Sequence, residues 1–145
     1  MKVIVDADAC PVKSIIEKVS RSYNIDVIMV SNYHHQIESD YAKVVVVDGS
    51  SQAADMVIAN YTRPGDIVVT QDYGLAALIL AKQANAIHPQ GNIYSQENID
   101  GLLMQRYVNQ KARQANKRTA GPRKRTSLDD KNFEQQFEKL ILEQK

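Results

Sequence analysis

The sequence predicts an α/β protein, a three-layer α/β/α sandwich built on a mostly parallel, Rossmann-like sheet, and three observations carry that prediction. Short apolar, β-branched runs alternate with stretches of helical period through residues 1–105. Those runs, Val3-Ile4-Val5 first among them, are apolar without a break, as expected of strands covered on both faces. Acidic residues recur where the runs end: Asp6 and Asp8 after the first, Asp48 after the third, Asp72 after the fourth. Strands alternating with helices imply right-handed crossovers and parallel pairing. The carboxyl ends of parallel strands share one edge, and that edge is the usual binding crevice.

The first run reads as a buried strand that stops at Asp6 and Asp8, and Pro11 suits the first turn of a helix, where its missing N–H is no loss. Over residues 11–22, Val12, Ile15, Ile16 and Val19 fall at i, i+3, i+4 and i+7, an amphipathic stripe. Asn24 is a stop signal, and residues 27–30 form a second strand. Residues 31–43 are polar and without period; they read as a loop, and their adjacent His34 and His35 lack the spacing of a zinc site. Residues 44–47 are the most strand-like run and end in Asp48-Gly49, where Asp48 suits the shaping of a turn. Ser50 or Ser51 then caps a helix with Ala54, Val57, Ile58 and Tyr61 on its buried side and Asp55 in its opening turns.

The fourth strand spans residues 66–70. Its first residue, Asp66, sits at the opposite edge and reads as structural. Leu75, Leu78 and Ile79 mark the next helix, and Lys82 interrupts their stripe. Ala86-Ile87 is a short fifth strand closed by His88-Pro89-Gln90-Gly91. Ser95 caps a helix whose later turns run into basic residues, and Gly121-Pro122 would end any helix there, with Thr119 to Pro122 as a connector. Ser127 with Asp130 resembles a capping box for a last helix, whose stripe is Phe133, Phe137, Leu140 and Ile141.

A chain of 145 residues suits one domain with an appendage. The expected division is an α/β domain over residues 1–105, a basic segment over 106–125, and a helix over 126–145 that packs on the domain. No apolar run approaches the roughly 18 residues that span a bilayer, so no membrane partner is expected. The chain enters a strand directly after Met1-Lys2, and its single cysteine, Cys10, excludes an internal disulfide; a cytoplasmic location is the expectation. The net charge of +1 conceals an asymmetry. Residues 1–105 hold 12 acidic and 7 basic side chains, whereas residues 106–125 hold 8 basic and none acidic. That block comprises Arg106, Lys111, Arg113, Lys117, Arg118, Arg123, Lys124 and Arg125, and it suggests a phosphate backbone as partner. Without interleaved aromatic residues it offers no stacking platform, so sequence specificity is not indicated.

Asp6, Asp8, Asp48, Asp55 and Asp72 come from three strand ends and one helix start, and topology predicts that most of them converge at the carboxyl edge. Two carboxylates about 4 Å apart repel by roughly 4 kcal/mol at an effective dielectric near 20. A chain tolerates such a cluster when protons or cations offset it. Oxygen ligands without histidine or thiol suit Mg²⁺ or Mn²⁺, which keep several waters and engage substrate phosphate. Such ions activate water for attack on a phosphodiester. Asp8 is placed either among these carboxylates or as the cap of the helix that follows. Thr70 either contacts phosphate or water at the edge or simply finishes its strand. Cys10, at a helix start, has no evident base and reads as a small buried residue rather than a nucleophile.

The opening Asp6-Ala7-Asp8-Ala9-Cys10-Pro11 resembles the hallmark of the YaiI/YqxD family of bacterial proteins. The resemblance continues through Ala54-Asp55, through residues 65–72 with Leu75-Ala76, and through Pro89, Gly91, Tyr94, Asn98-Ile99 and Gly121-Pro122. That family is similar in turn to the PIN-like nucleases, whose acidic residues at strand ends bind Mg²⁺ or Mn²⁺ and cut RNA. The resemblance implies Asp6, Asp55 and Asp72 as metal ligands, Asp8 as an accessory catalytic residue, and RNA as the nucleic acid. Gln52 and Gln90 stand where the family pattern has Asp and Arg, which puts part of the metal site and a phosphate contact in question. Two alternatives stand beside this expectation. One is a nucleic-acid-binding or regulatory module without catalysis. The other is a haloacid-dehalogenase-like phosphatase with Asp6 as nucleophile, for which Cys10 stands where Thr or Val is usual.

Overall fold

The computed structural model describes residues 1–8, 10–32, 37–115 and 124–145, with backbone only at Ser51. His34, His35, Lys117, Arg118, Arg123 and the expected connector over 119–122 lie outside the described residues. The chain forms a three-layer α/β/α, Rossmann-like fold. Its five strands are β1 (Lys2–Asp6), β2 (Asp26–Asn32), β3 (Lys43–Val47), β4 (Ile67–Val69) and β5 (Asn85–Ile87). They make one sheet in the order β3-β2-β1-β4-β5, with every pairing between these strands parallel. The helices are α1 (Lys13–Ser22), α2 (Ser51–Tyr61), α3 (Tyr73–Ala81), α4 (Gln96–Gln114) and α5 (Ser127–Gln144).

Central β1 is flanked on both sides, and Val3, Ile4 and Val5 are wholly buried. Alternate side chains along a strand point to opposite faces, so the two helical layers divide these apolar runs between them. Val3, Val5, Met29, Ile67 and Val69 pack with α1 and α5, through Ile16, Val19, Phe133 and Phe137. Ile4, Ile28, Val30 and Val68 pack with α2, α3 and α4, through Ile58, Leu75, Ile79 and Ile99. Each such aliphatic or aromatic side chain stabilises the fold by about 1.5–3 kcal/mol. Crossovers of one hand that run in opposite directions along the sheet put their helices on opposite faces. That is why α1, between β1 and β2, lies across the sheet from α2, between β3 and β4.

Several local details differ from the sequence reading. Helix α1 starts at Lys13, with Val12 at its N-cap and no side-chain cap, so Pro11 precedes the helix instead of entering it. The box at the start of α5 is formed by Thr126 and Asp129, one residue earlier than the Ser127 and Asp130 pair, because Asp130 is engaged by Arg125. The later turns of α4 run into the basic residues as expected, through Gln114. Asn24 does end α1, in the left-handed region at φ 55°. Ser50 caps α2 and Ser95 caps α4.

Candidate active site at the carboxyl edge of the sheet

The connection leaving β1 goes to one face of the sheet and that leaving β4 to the other. The crevice between the two strand ends is therefore the switch point at which open α/β sheets bind ligands. Asp6 ends β1, and Thr70, Gln71 and Asp72 follow β4. Buried Thr70 ties the two ends together: its hydroxyl donates to Asp6 Oδ2 at 2.9 Å and accepts the Asp72 N–H at 3.0 Å. The Thr70 carbonyl in turn accepts the buried Tyr94 hydroxyl at 3.1 Å. Of the alternatives open for Thr70, it does neither alone; it sets the position of Asp6.

Asp72 is the N-cap of α3, and its Oδ1 accepts the N–H groups of Gly74 at 2.9 Å and Leu75 at 3.2 Å. The Arg106 guanidinium stands 3.9 Å from the same oxygen. Asp8 does not cap α1. Its carboxylate accepts the Asn32 N–H, at 3.1 Å from Oδ2, and so fastens the loop after β1 to the end of β2. Asp55, one turn into α2 and half-buried, completes the acidic group.

Electrostatics show that the four carboxylates share one neighbourhood. Burial pushes the Asp6 carboxyl up to about 6; the Thr70 hydrogen bond opposes this, and the charges of Asp55, Asp8 and Asp72 add to it. Asp55 is also raised above the ordinary carboxylate range, by burial and then by Asp72. Asp48 takes no part. It is exposed after the edge strand β3, where it accepts the Ser50 N–H at 3.0 Å and shapes the turn. Asp66 is buried at the opposite edge and holds the Lys2 and Arg63 backbone N–H groups and the Lys2 ammonium. Cys10 is buried, and burial holds its thiol above the ordinary value, against a role as nucleophile.

A cavity of about 410 Å³ opens at this edge, lined by Asp6, Gln71, Asp72, Tyr73 and Arg106. Its donors are carboxylates, amide and hydroxyl, the set that suits Mg²⁺ or Mn²⁺. Among the described residues, however, no three His, Cys, Asp or Glu side chains form a group that could hold a metal ion as they stand. Asp6 is turned onto Thr70 and Asp72 onto the α3 amides. The chemistry of the donors therefore fits a hard ion that keeps most of its waters and uses one or two carboxylates, and a closed three-carboxylate cage is not preformed.

The basic residues are distributed unevenly. Arg106 reaches the acidic cavity, while Lys111 and Arg113 are exposed on the projecting turns of α4, with Lys111 over the Tyr107 ring at 5.6 Å. Lys124 is exposed; Arg125 is drawn inward onto Asp130 and the Pro89 carbonyl. Gln71 and Tyr73 after β4 and His88 after β5 stand at the same edge without the acidic signature that marks Asp6 and Asp72 in the sequence. The same position in the topology would have found them.

The family described as "Uncharacterized BCR, YaiI/YqxD family" matches residues 4–143. The chain belongs to the YaiI/YqxD family. A "UPF0178 protein" of Natranaerobius thermophilus is 48% identical over 145 residues, covering 100% of this chain and 99% of the relative. One from Clostridium kluyveri is 48% identical over 142 residues, covering 98% and 93%, and one from Alkaliphilus oremlandii is 50% identical over 134 residues, covering 92% and 86%. No solved structure gives a significant match. Family membership spans both the acidic edge and α5, so the site lies on residues that the family likeness covers. Among the described residues, no helix is long and apolar enough to cross a membrane.

Proposed function

We propose that this YaiI/YqxD protein is a divalent-metal-dependent phosphodiesterase acting on nucleic acid, a PIN-like ribonuclease. The observation that carries the reading is Asp6, half-buried at the switch point and raised to about 6 by burial with Asp55, Asp8 and Asp72 around it. Such a carboxylate is uncomfortable when ionised alone and is relieved by a proton or a cation. Asp6, Asp55 and Asp72 are the candidate ligands, one or two of which would hold Mg²⁺ or Mn²⁺ directly, and the ion when bound supplies Lewis acidity toward phosphate and water. Thr70 fixes the rotamer of Asp6, and Arg106 at the rim would draw the phosphate in and offset its charge. Asp8, held by the Asn32 amide outside that set, would accept the proton of the attacking water. A new P–O bond would form to the water oxygen as the bond to the departing sugar oxygen breaks, and that oxygen would take its proton from solvent to leave as an alcohol.

The test compares cleavage of single-stranded RNA across a Mn²⁺ titration for wild type and an Asp6→Asn/Asp72→Asn variant. Asparagine keeps both the Thr70 contact and the α3 cap, so loss of activity reports on charge and not on folding. Metal-dependent cleavage abolished in the variant is the expected result. Equal cleavage in both would remove the proposal.

A second reading, a nucleic-acid-binding module without catalysis, is favoured by one observation: Asp72 spends an oxygen on capping α3, and no three-carboxylate group stands ready among the described residues. RNA binding that survives chelator and declines steeply with salt, without cleavage, would support it. The phosphatase reading gains nothing, because Cys10, buried in the loop after β1, stands where Thr or Val is usual.

A further inference from the structure

Beside the acidic cavity lies a second one, of about 500 Å³, bounded by Pro11, Gln71, Tyr73, His88, Gln90 and Arg125. The two share Gln71 and Tyr73 as a common wall. Their characters are opposite. Among the described residues that line the second cavity none is acidic, and the cation in it is anchored. Arg125 donates from Nε to Asp130 Oδ1 at 2.9 Å, its Nη2 stands 2.8 Å from the same oxygen and donates to the Pro89 carbonyl at 2.9 Å, and Nη1 takes no part in these contacts.

His88 is set as a donor. Its Nδ1 accepts the Gln90 N–H at 3.0 Å, which places the proton of a neutral ring on Nε2. Burial, and then the Arg125 charge, hold its pKa below the ordinary value, so the ring is neutral at pH 7. The Gln90 and Gln71 amides and the Tyr73 hydroxyl add further polar groups, while Pro11, Pro89 and the Tyr73 ring give apolar wall. One guanidinium, neutral donors and flat apolar surface in a cavity of this size match one phosphate carried on one base and sugar. A stacked duplex cannot enter such a space, whereas an unstacked nucleotide of a single strand can.

We propose that this cavity is the subsite for one phosphorylated nucleoside, the unit of a single strand that neighbours the bond held at the acidic edge. Its link to the acidic edge rests on the phosphodiesterase reading; its ligand chemistry does not. Arg125 takes the phosphate, and the Tyr73 and proline walls take the base and sugar.

The test is binding of adenosine 5′-monophosphate to the full chain in EDTA, followed by amide chemical shifts in NMR, with adenosine and inorganic phosphate as separate arms. The expected result is saturable binding with shifts at His88, Gln90 and Tyr73. Adenosine and inorganic phosphate should each bind roughly tenfold more weakly, the loss of about one charge-assisted hydrogen bond or of the apolar contact. Arg125→Gln should weaken the nucleotide by a similar factor. Because Arg125 also supports the Pro89 turn, Gln90→Glu is the second variant; it puts a like charge against the phosphate at a side chain that forms none of the bonds holding that turn. Inorganic phosphate binding as tightly as the nucleotide would reduce the site to a bare anion site and overturn the proposal. So would nucleotide binding unchanged in Gln90→Glu, or an absence of saturable shifts at these residues. No cleavage is read, so a chain that binds the nucleotide but cuts nothing refutes only the phosphodiesterase. A chain that cuts RNA without this binding refutes only the subsite.

Discussion

Asp6 carries two opposed requirements, a hydrogen bond that favours its charge and an environment that penalises it. Its ordinary value is 3.8 and its folded value about 6, so the folded chain binds that proton more tightly than the unfolded chain. Its contribution to stability is therefore most favourable below pH 3.8, declines as pH rises from there through about 6, and is level above. Asp6→Asn, which can still accept from Thr70, should remove that decline and leave the variant about 2 kcal/mol more stable than wild type at pH 7. Urea unfolding at pH 4 and pH 7 would check this: the two proteins should converge at the lower pH. Thr70→Val is the complement. It strips Asp6 of its donor and the Asp72 N–H of its acceptor in a buried place, and should cost about 1–3 kcal/mol by the same measurement. Residue identity alone announced the acids but not this connection. A threonine finishing a strand looks the same whether or not it grips a carboxylate 64 residues away.

At the scale of elements, strands and helices were legible because their signal is repetition, in the apolar runs of β1, β2 and β4 and in the stripe of α1. The ends were less so. Asp8 has the chemistry of a cap and is not one, since Asn32 at the end of the neighbouring strand offers an amide that only sheet assembly brings near. The box at α5 moved by one residue for a similar reason: Asp130 had a tertiary partner in Arg125. The turn after β5 shows such a partnership most sharply. Gly91 has φ 100°, and a Cβ there would lie 2.6 Å from Asn132 Nδ2 and 2.9 Å from the Asn132 backbone carbon, while Asn132 donates to the Gln90 carbonyl at 2.8 Å. Gly91→Ala thus combines a strained backbone with a clash against α5, and a loss of about 2–4 kcal/mol is expected in thermal or urea unfolding. Adding Asn132→Ala should recover only part of it, because the backbone contact and the positive φ remain.

For the whole molecule the decisive partnership is between the two ends of the chain. One face of β1 is covered by a helix more than 120 residues later, and Phe133, Phe137 and Ile141 of α5 are wholly buried with Leu140 nearly so. The two phenylalanine rings stack at 5.3 Å, and Tyr23 after α1 donates to Glu138 of α5 at 2.5 Å. Four such side chains are worth about 6–12 kcal/mol of burial, against a total stability of about 5–15 kcal/mol for a domain of ordinary size. Helix α5 is on this arithmetic part of the core and no appendage. It also carries Asn132 against the turn after β5 and follows directly on Arg125, so the wall of the second cavity depends on its docking. A chain ended after residue 125 should therefore show no cooperative thermal transition by circular dichroism and poorly dispersed amide resonances. Leu142→Ser, on the exposed side of the same helix, should change stability by no more than about 0.5 kcal/mol. A truncated chain that melts cooperatively near the wild-type temperature would mean that the sheet closes its own core, and that α5 serves the cavity alone.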